Sequence, residues 1–159
     1  MQINTLVARG PGAMLEFMPE PEAGKLAELI VALANSLGGV IIVGMDARGR
    51  ILPDVASYVE PILSRALRLC VPPFRHDDLP ELSVEELPAG PVATINVKPT
   101  PYQLSVEGRD VFVRSGTLNI RLSTEQAESE RLGKRGQTFE DEPVPGAALG
   151  DLDEAIIEE

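Results

Sequence analysis

A helix that breaks on two glycines and passes at once into an unbroken apolar strand restricts this chain more than any other feature. The stretch ALANSLGGVIIVGMDARGRI occupies residues 32 to 51. From Glu22 to Leu37 the residues Leu26, Ala27, Ile30, Val31, Leu33, Ala34 and Leu37 recur at helical spacing and leave only a narrow polar face. Such a helix is buried on most sides. Gly38 suits the left-handed residue that closes a helix, and Val-Ile-Ile-Val after it has no polar side to offer water. The pattern predicts a helix over 22–37 and a central strand over 40–45 with both faces covered, followed by the turn DARGR.

The flanking sequence predicts further elements. INTLVA alternates as a first strand, and AMLEFM reads as a second, stopped by the prolines of PEPEAG. Pro53 and Asp54 open a second helix, with Asp54 as its cap and Val55, Val59, Ile62, Ala66 and Leu69 at helical spacing. Two strand-like runs surround Pro88 to Pro91, and YQLSVEGRDVFVRSG reads as a hairpin turning at Glu107 to Asp110. Ser123 with Gln126 forms a capping box for a polar third helix over about residues 124–133. Mixed helices and antiparallel hairpins give an α+β class: a mixed central sheet with flanking helices.

Composition then sets limits. Cys70 and His76 are the sole cysteine and histidine, so one chain forms neither a disulfide nor a Cys/His zinc site. Cys70 reads as a small apolar core residue and His76 as a loop residue. The amino terminus lacks the parts of a signal peptide and no apolar run approaches membrane-spanning length, so the expected location is cytoplasmic, with no membrane partner. The net charge of -11 is uneven: residues 139–159 hold eight acids and no base, leaving 17 acids against 14 bases before them. This divides the chain into a body, 1–138, and an acidic tail, 139–159, too poor in apolar residues to order itself. The tail is a solubilising segment, a docking segment for a protein partner through LDEAII, or a cover for the body's own bases.

Phosphate-loop chemistry is excluded. Gly39 and Gly44 have the P-loop gap, but Met45 and Asp46 stand where Lys and Ser/Thr are needed, and the glycines bracket a strand instead of following it. No G-x-G-x-x-G opens a helix.

LEF at 15–17, ALANSLGGVIIVGMDARGRI, PYQLSVEGRDVFVRSGT at 101–117 and LSTEQAESERL at 122–132 together resemble the Schlafen Alba-like domain, over about residues 14–133. The resemblance implies an Alba-like, Schlafen-core-like fold, frequent pairing of two units, and a nucleic-acid-binding or transcription-regulating role. In animal Schlafen proteins it implies an endoribonuclease with a metal-binding trio of carboxylates. Glu16 and Asp46 match two of the trio. Pro11 stands at the first position, Met18 replaces the Lys after Phe, and Glu20 and Glu22 follow the strand among Pro19 and Pro21. Two carboxylates are a poor cage for a hard cation. Asp46 also has a plain role as a turn acid bonding backbone amides, and Asn35 as a backbone-bonding residue at a helix end.

The bases Arg48, Arg50, Lys98, Arg109, Arg114 and Arg121 form a phosphate-contacting surface if the fold brings them together. The expected function is a DNA- or RNA-binding domain protein that needs no cofactor. One alternative is a non-catalytic assembly module. The other is a Schlafen-type ribonuclease using Glu16 and Asp46 as catalytic and metal-binding residues with Mg²⁺ or Mn²⁺. Sheet edges at 81–98 and 103–115 predict a homodimer or higher oligomer.

Overall fold

The computed structural model describes residues 3–52 and 54–141. Helix α1 (Ile3–Arg9) precedes strand β1 (Leu15–Met18), helix α2 (Ala23–Ala34) and strand β2 (Gly39–Val43). A 3-10 turn, Val55–Tyr58, leads into helix α3 (Val59–Leu69) and the short strand β3 (Cys70–Val71). Strands β4 (Glu81–Leu87), β5 (Gly90–Val97), β6 (Ser105–Val106), β7 (Phe112–Ser115) and β8 (Leu118–Arg121) follow, and helix α4 (Thr124–Asp141) is last. The class is α+β, as expected.

The central sheet has the order β1-β2-β5-β4, with β1 parallel to β2 and the other pairs antiparallel. Ile41 and Val43 of β2 point into a core shared with α2 and α3, whereas Ile42, with Met45 beyond the strand's end, packs with Leu6 of α1 on the opposite face. Ile41 and Ile42 are both wholly buried, which satisfies the two-sided covering that their sequence requires. Leu26, Ile30 and Leu33 of α2 are equally inaccessible, each worth about 1.5–3 kcal/mol over an exposed position.

The two glycines are fixed by close backbone approach. Gly38 has φ +75°, and a Cβ there would lie 2.6 Å from the Val97 carbonyl oxygen. Gly39 has φ +156°, and a Cβ would lie 2.5 Å from the carbonyl oxygen of Met14, the same oxygen that accepts the Val40 amide at 3.0 Å. Helix α2 is capped by Glu22, whose carboxylate accepts the Lys25 amide, and closes on Asn35, short of the expected end at Leu37, which lies in the following turn and is 64% exposed, not on the buried face.

Three expectations are corrected. INTLVA lies in helix α1, not in a strand: over so short a run alternation and helical spacing are hard to tell apart, and burial of Leu6 against the sheet decides it. Asp54 makes no side-chain cap; its carbonyl accepts the Ser57 hydroxyl at 2.8 Å, and α3 starts one 3-10 turn later. The hairpin over 103–115 does not form as one ladder. The turn exists, with a single bridge between Val106 and Asp110, but β6 pairs with β3, and β7 pairs with β8. Asn35 explains the split: its amide nitrogen donates to the Leu104 and Phe112 carbonyls, both at 2.9 Å, and its oxygen accepts the Leu104 amide at 2.9 Å. The end of α2 thus takes hydrogen bonds that a continuous hairpin would have used.

The hairpin around Pro88 to Pro91 is present as β4–β5. The capping box is reciprocal, Ser123 amide to Gln126 Oε1 at 2.9 Å and Gln126 amide to Ser123 Oγ at 3.1 Å. The helix it opens continues to Asp141, past the expected end near 133. The disordered tail expected over 139–159 lies outside the described residues from 142 onward. No helix among the described residues is long and apolar enough to cross a membrane.

Candidate nucleic-acid interface

Alternation along β1 sends Leu15 and Phe17 toward α1, and Glu16 with Met18 toward α2. On that second side β7 delivers Arg114, whose side chain is 1% exposed and whose Nη2 donates to Glu16 Oε1 at 2.7 Å. The same guanidinium donates to the Gly12 carbonyl from Nε at 3.1 Å and Nη2 at 3.0 Å, and to the Leu15 carbonyl at 3.3 Å. Its Nη1 donates to Asn119 Oδ1 at 2.8 Å, and Asn119 in turn donates to Glu28 on α2 at 3.1 Å. The Arg114 amide is held by the Ser36 hydroxyl. Arg114 therefore fastens β1 to the β7–β8 hairpin from the inside, and its cation is not offered to an outside phosphate.

Asp46 braces the turn after β2. Its Oδ1 accepts the amides of Arg48 and Arg50, both at 2.9 Å, and its Oδ2 accepts Arg50 Nε at 2.9 Å. The Arg50 amide, followed by the Arg50 side chain and the Arg48 amide, holds its carboxyl below the usual value against a raising contribution from desolvation. Both arginines stay exposed on this fixed turn.

The remaining bases lie elsewhere. Lys98 follows β5, whose Val97 pairs with Gly39 at the opposite end of β2 from the Asp46 turn, and its Nζ donates to the Asp77 carbonyl at 2.9 Å. Arg109 and Arg121 share a third corner, paired with Glu107 at 2.8 Å and with Asp110 at 3.9 Å. The six bases named from sequence thus resolve into Arg48 with Arg50, Arg109 with Arg121, Lys98 alone and Arg114 inside. Sequence reading passed over Arg65 and Arg68, both exposed on α3. Their three-residue spacing on the polar face was the available signal.

A hard divalent cation needs several converging oxygens that are free to bind it. Glu16 offers Oε1 to Arg114 and Oε2 to the Phe17 amide at 3.1 Å, while both oxygens of Asp46 hold the turn. Glu16 is level with Ile41 in the sheet, and Asp46 lies beyond the strand's end at Val43. Pro11 contributes no ligand, and no group of three His, Cys, Asp or Glu among the described residues is placed to hold a metal ion. The oxygens of Glu16 and Asp46 are thus engaged within the fold, at two different levels of the sheet.

The fold is that of a mixed-sheet domain with helices on both faces, and the sequence profile of the Schlafen, AlbA_2 family matches residues 15–123. The chain belongs to that family. Among solved structures it is similar to the DIP2311 protein from Corynebacterium diphtheriae, with a TM-score of 0.57 and 16% identity over 84% of this chain. The match covers 28% of that longer chain and speaks for the fold alone. The search of curated proteins returned no match.

Proposed function

We propose that this chain is a non-cleaving nucleic-acid-binding domain that holds phosphates at exposed arginines. The observation that carries this reading is the Asp46 turn. An acid at a position that the family resemblance associates with metal instead accepts two backbone amides and the Arg50 Nε, which fixes the turn while the Arg48 and Arg50 side chains stay exposed. Phosphate contacts of this kind supply most sequence-independent affinity and weaken as salt rises. The engagement of Glu16 by Arg114 supports binding without cleavage.

A mobility-shift titration of labelled DNA and RNA at low and raised salt tests the reading. Binding should fall with salt and weaken in the Arg48→Ala/Arg50→Ala variant, while structured RNA stays intact with Mg²⁺ or Mn²⁺. Cleavage that disappears in Glu16→Ala would instead support the ribonuclease alternative.

Assembly with a second copy is a second reading, favoured by the outer edge of β4, which ends the sheet and leaves Val84 54% exposed. Light scattering at high micromolar concentration decides it, and a monomer would end it.

A further inference from the structure

The two separated arginine pairs are joined by α3. At its start, the preceding 3-10 turn places Val55 against Gly44, and the Leu52 amide donates to the Gly44 carbonyl, next to the turn that carries Arg48 and Arg50. At its end, the Leu69 carbonyl accepts the Glu107 amide at 2.6 Å and Cys70 pairs with Val106, beside Arg109 and Arg121. Its 11 residues span about 16 Å at ~1.5 Å per residue.

Helix α3 buries Val59, Leu63 and Ala66, and it leaves Glu60, Pro61, Ser64, Arg65 and Arg68 in solvent. Neither arginine is in an ion pair among the described residues. Glu60, the one acid of α3, lies about 140° around the axis from Arg65 and about 80° from Arg68, at ~100° per residue, and about two turns of helix before Arg68. Tyr58 stands at the junction of the 3-10 turn and α3 and is 40% exposed. An accessible aromatic beside a line of cations is the combination that holds single strands, whose unpaired bases stack while their phosphates meet charge.

We propose that single-stranded nucleic acid lies along the outer face of α3, from the Arg48/Arg50 turn to the Arg109/Arg121 corner. Arg65 and Arg68 hold phosphates, and Tyr58 stacks on a base. The proposal rests on the nucleic-acid reading above and adds the surface and the strandedness. A duplex, whose bases are already stacked, offers nothing to Tyr58.

Fluorescence anisotropy on the full chain tests it, with labelled oligothymidylate, oligouridylate and a duplex of equal length, each across a salt series. Arg65→Ala/Arg68→Ala should weaken single-strand binding about tenfold and lower the salt slope by roughly 1.4, the share of two phosphates. Tyr58→Ala should weaken it about 5- to 140-fold and leave duplex binding unchanged. All three side chains are exposed, so both variants should melt at the parental temperature. Unchanged binding in Arg65→Ala/Arg68→Ala, with a loss in Arg48→Ala/Arg50→Ala, would overturn the α3 track and leave the binding reading standing. Equal affinity for duplex and single strand, with Tyr58→Ala silent, would overturn the single-strand assignment. No binding of any probe by the parental chain would overturn both readings.

Discussion

The guanidinium of Arg114 meets the carboxylate of Glu16 at 2.7 Å across elements 98 positions apart in the chain. One partner is buried and the other about a quarter exposed. Arg114 also donates to the Gly12 and Leu15 carbonyls and to Asn119; its loss would remove the donor from Glu16 Oε1 and Asn119 Oδ1, while the two carbonyls keep each other's backbone amides.

Arg114→Met should therefore cost about 3 kcal/mol, near the lower end for breaking a buried pair because Glu16 retains some water. Arg114→Lys should recover little, since an ammonium cannot reproduce the planar fork. Urea denaturation measures both, and an Arg114→Met variant within about 1 kcal/mol of the parent would refute the internal-fastener role.

Asp46 should titrate below 3.8, and it should remain depressed in Arg50→Ala, because the Arg50 backbone amide is the largest cause and survives the substitution. For an acid depressed by folding, the stabilising contribution is present above the unfolded value and lost as pH falls through the folded one. Carboxyl carbon shifts followed by NMR through the acid range give the result. A return to the ordinary value in Arg50→Ala would show that the side chain was the main cause.

Lys134 joins α4 to the body, donating to Asn35 Oδ1 at 2.9 Å and to the Tyr102 carbonyl at 3.1 Å. Burial pushes its pKa down, opposed by the neighbouring Glu130 carboxylate. Between the folded pKa and 10.5 the unfolded chain binds more protons, so this lysine makes stability rise with pH there. The parent should gain stability relative to Lys134→Met across that interval in denaturation curves taken at successive pH values. A difference that does not vary with pH would contradict the assignment.

Gly39→Ala and Gly108→Ala separate backbone clash from backbone strain. Both positions have positive φ, but a Cβ at Gly39 strikes the Met14 backbone at 2.5 Å, whereas nothing lies within 4 Å at Gly108. Gly108→Ala should cost about 1 kcal/mol, and Gly39→Ala distinctly more, since β1 must move to admit it. Equal thermal shifts for the two variants would count against the tight β1–β2 approach.

Much of this molecule is written locally. The apolar spacing from Leu26 to Ala34 and the run Val40 to Val43 determined α2 and β2, because a segment without a polar side has to be covered all round; the helix's end, three residues before the exposed Leu37, was not legible in that spacing. The Ser123/Gln126 box and the Asp46 turn were equally legible, since each bonds within four residues of itself. The sequence did not distinguish Arg114, in the interior, from Arg48, in water; only contacts with residues 12–16, about a hundred positions earlier, do so. The same holds for the divided hairpin, which depends on Asn35 reaching Leu104 and Phe112, 69 and 77 positions away. It holds too for the placing of α3 between the turn after β2 and the Glu107 turn, which rests on the Leu52–Gly44 and Glu107–Leu69 backbone hydrogen bonds and the β3–β6 pairing. Local periodicity records how a residue sits about its own axis. Which charges are buried and which stand together is decided by long-range packing.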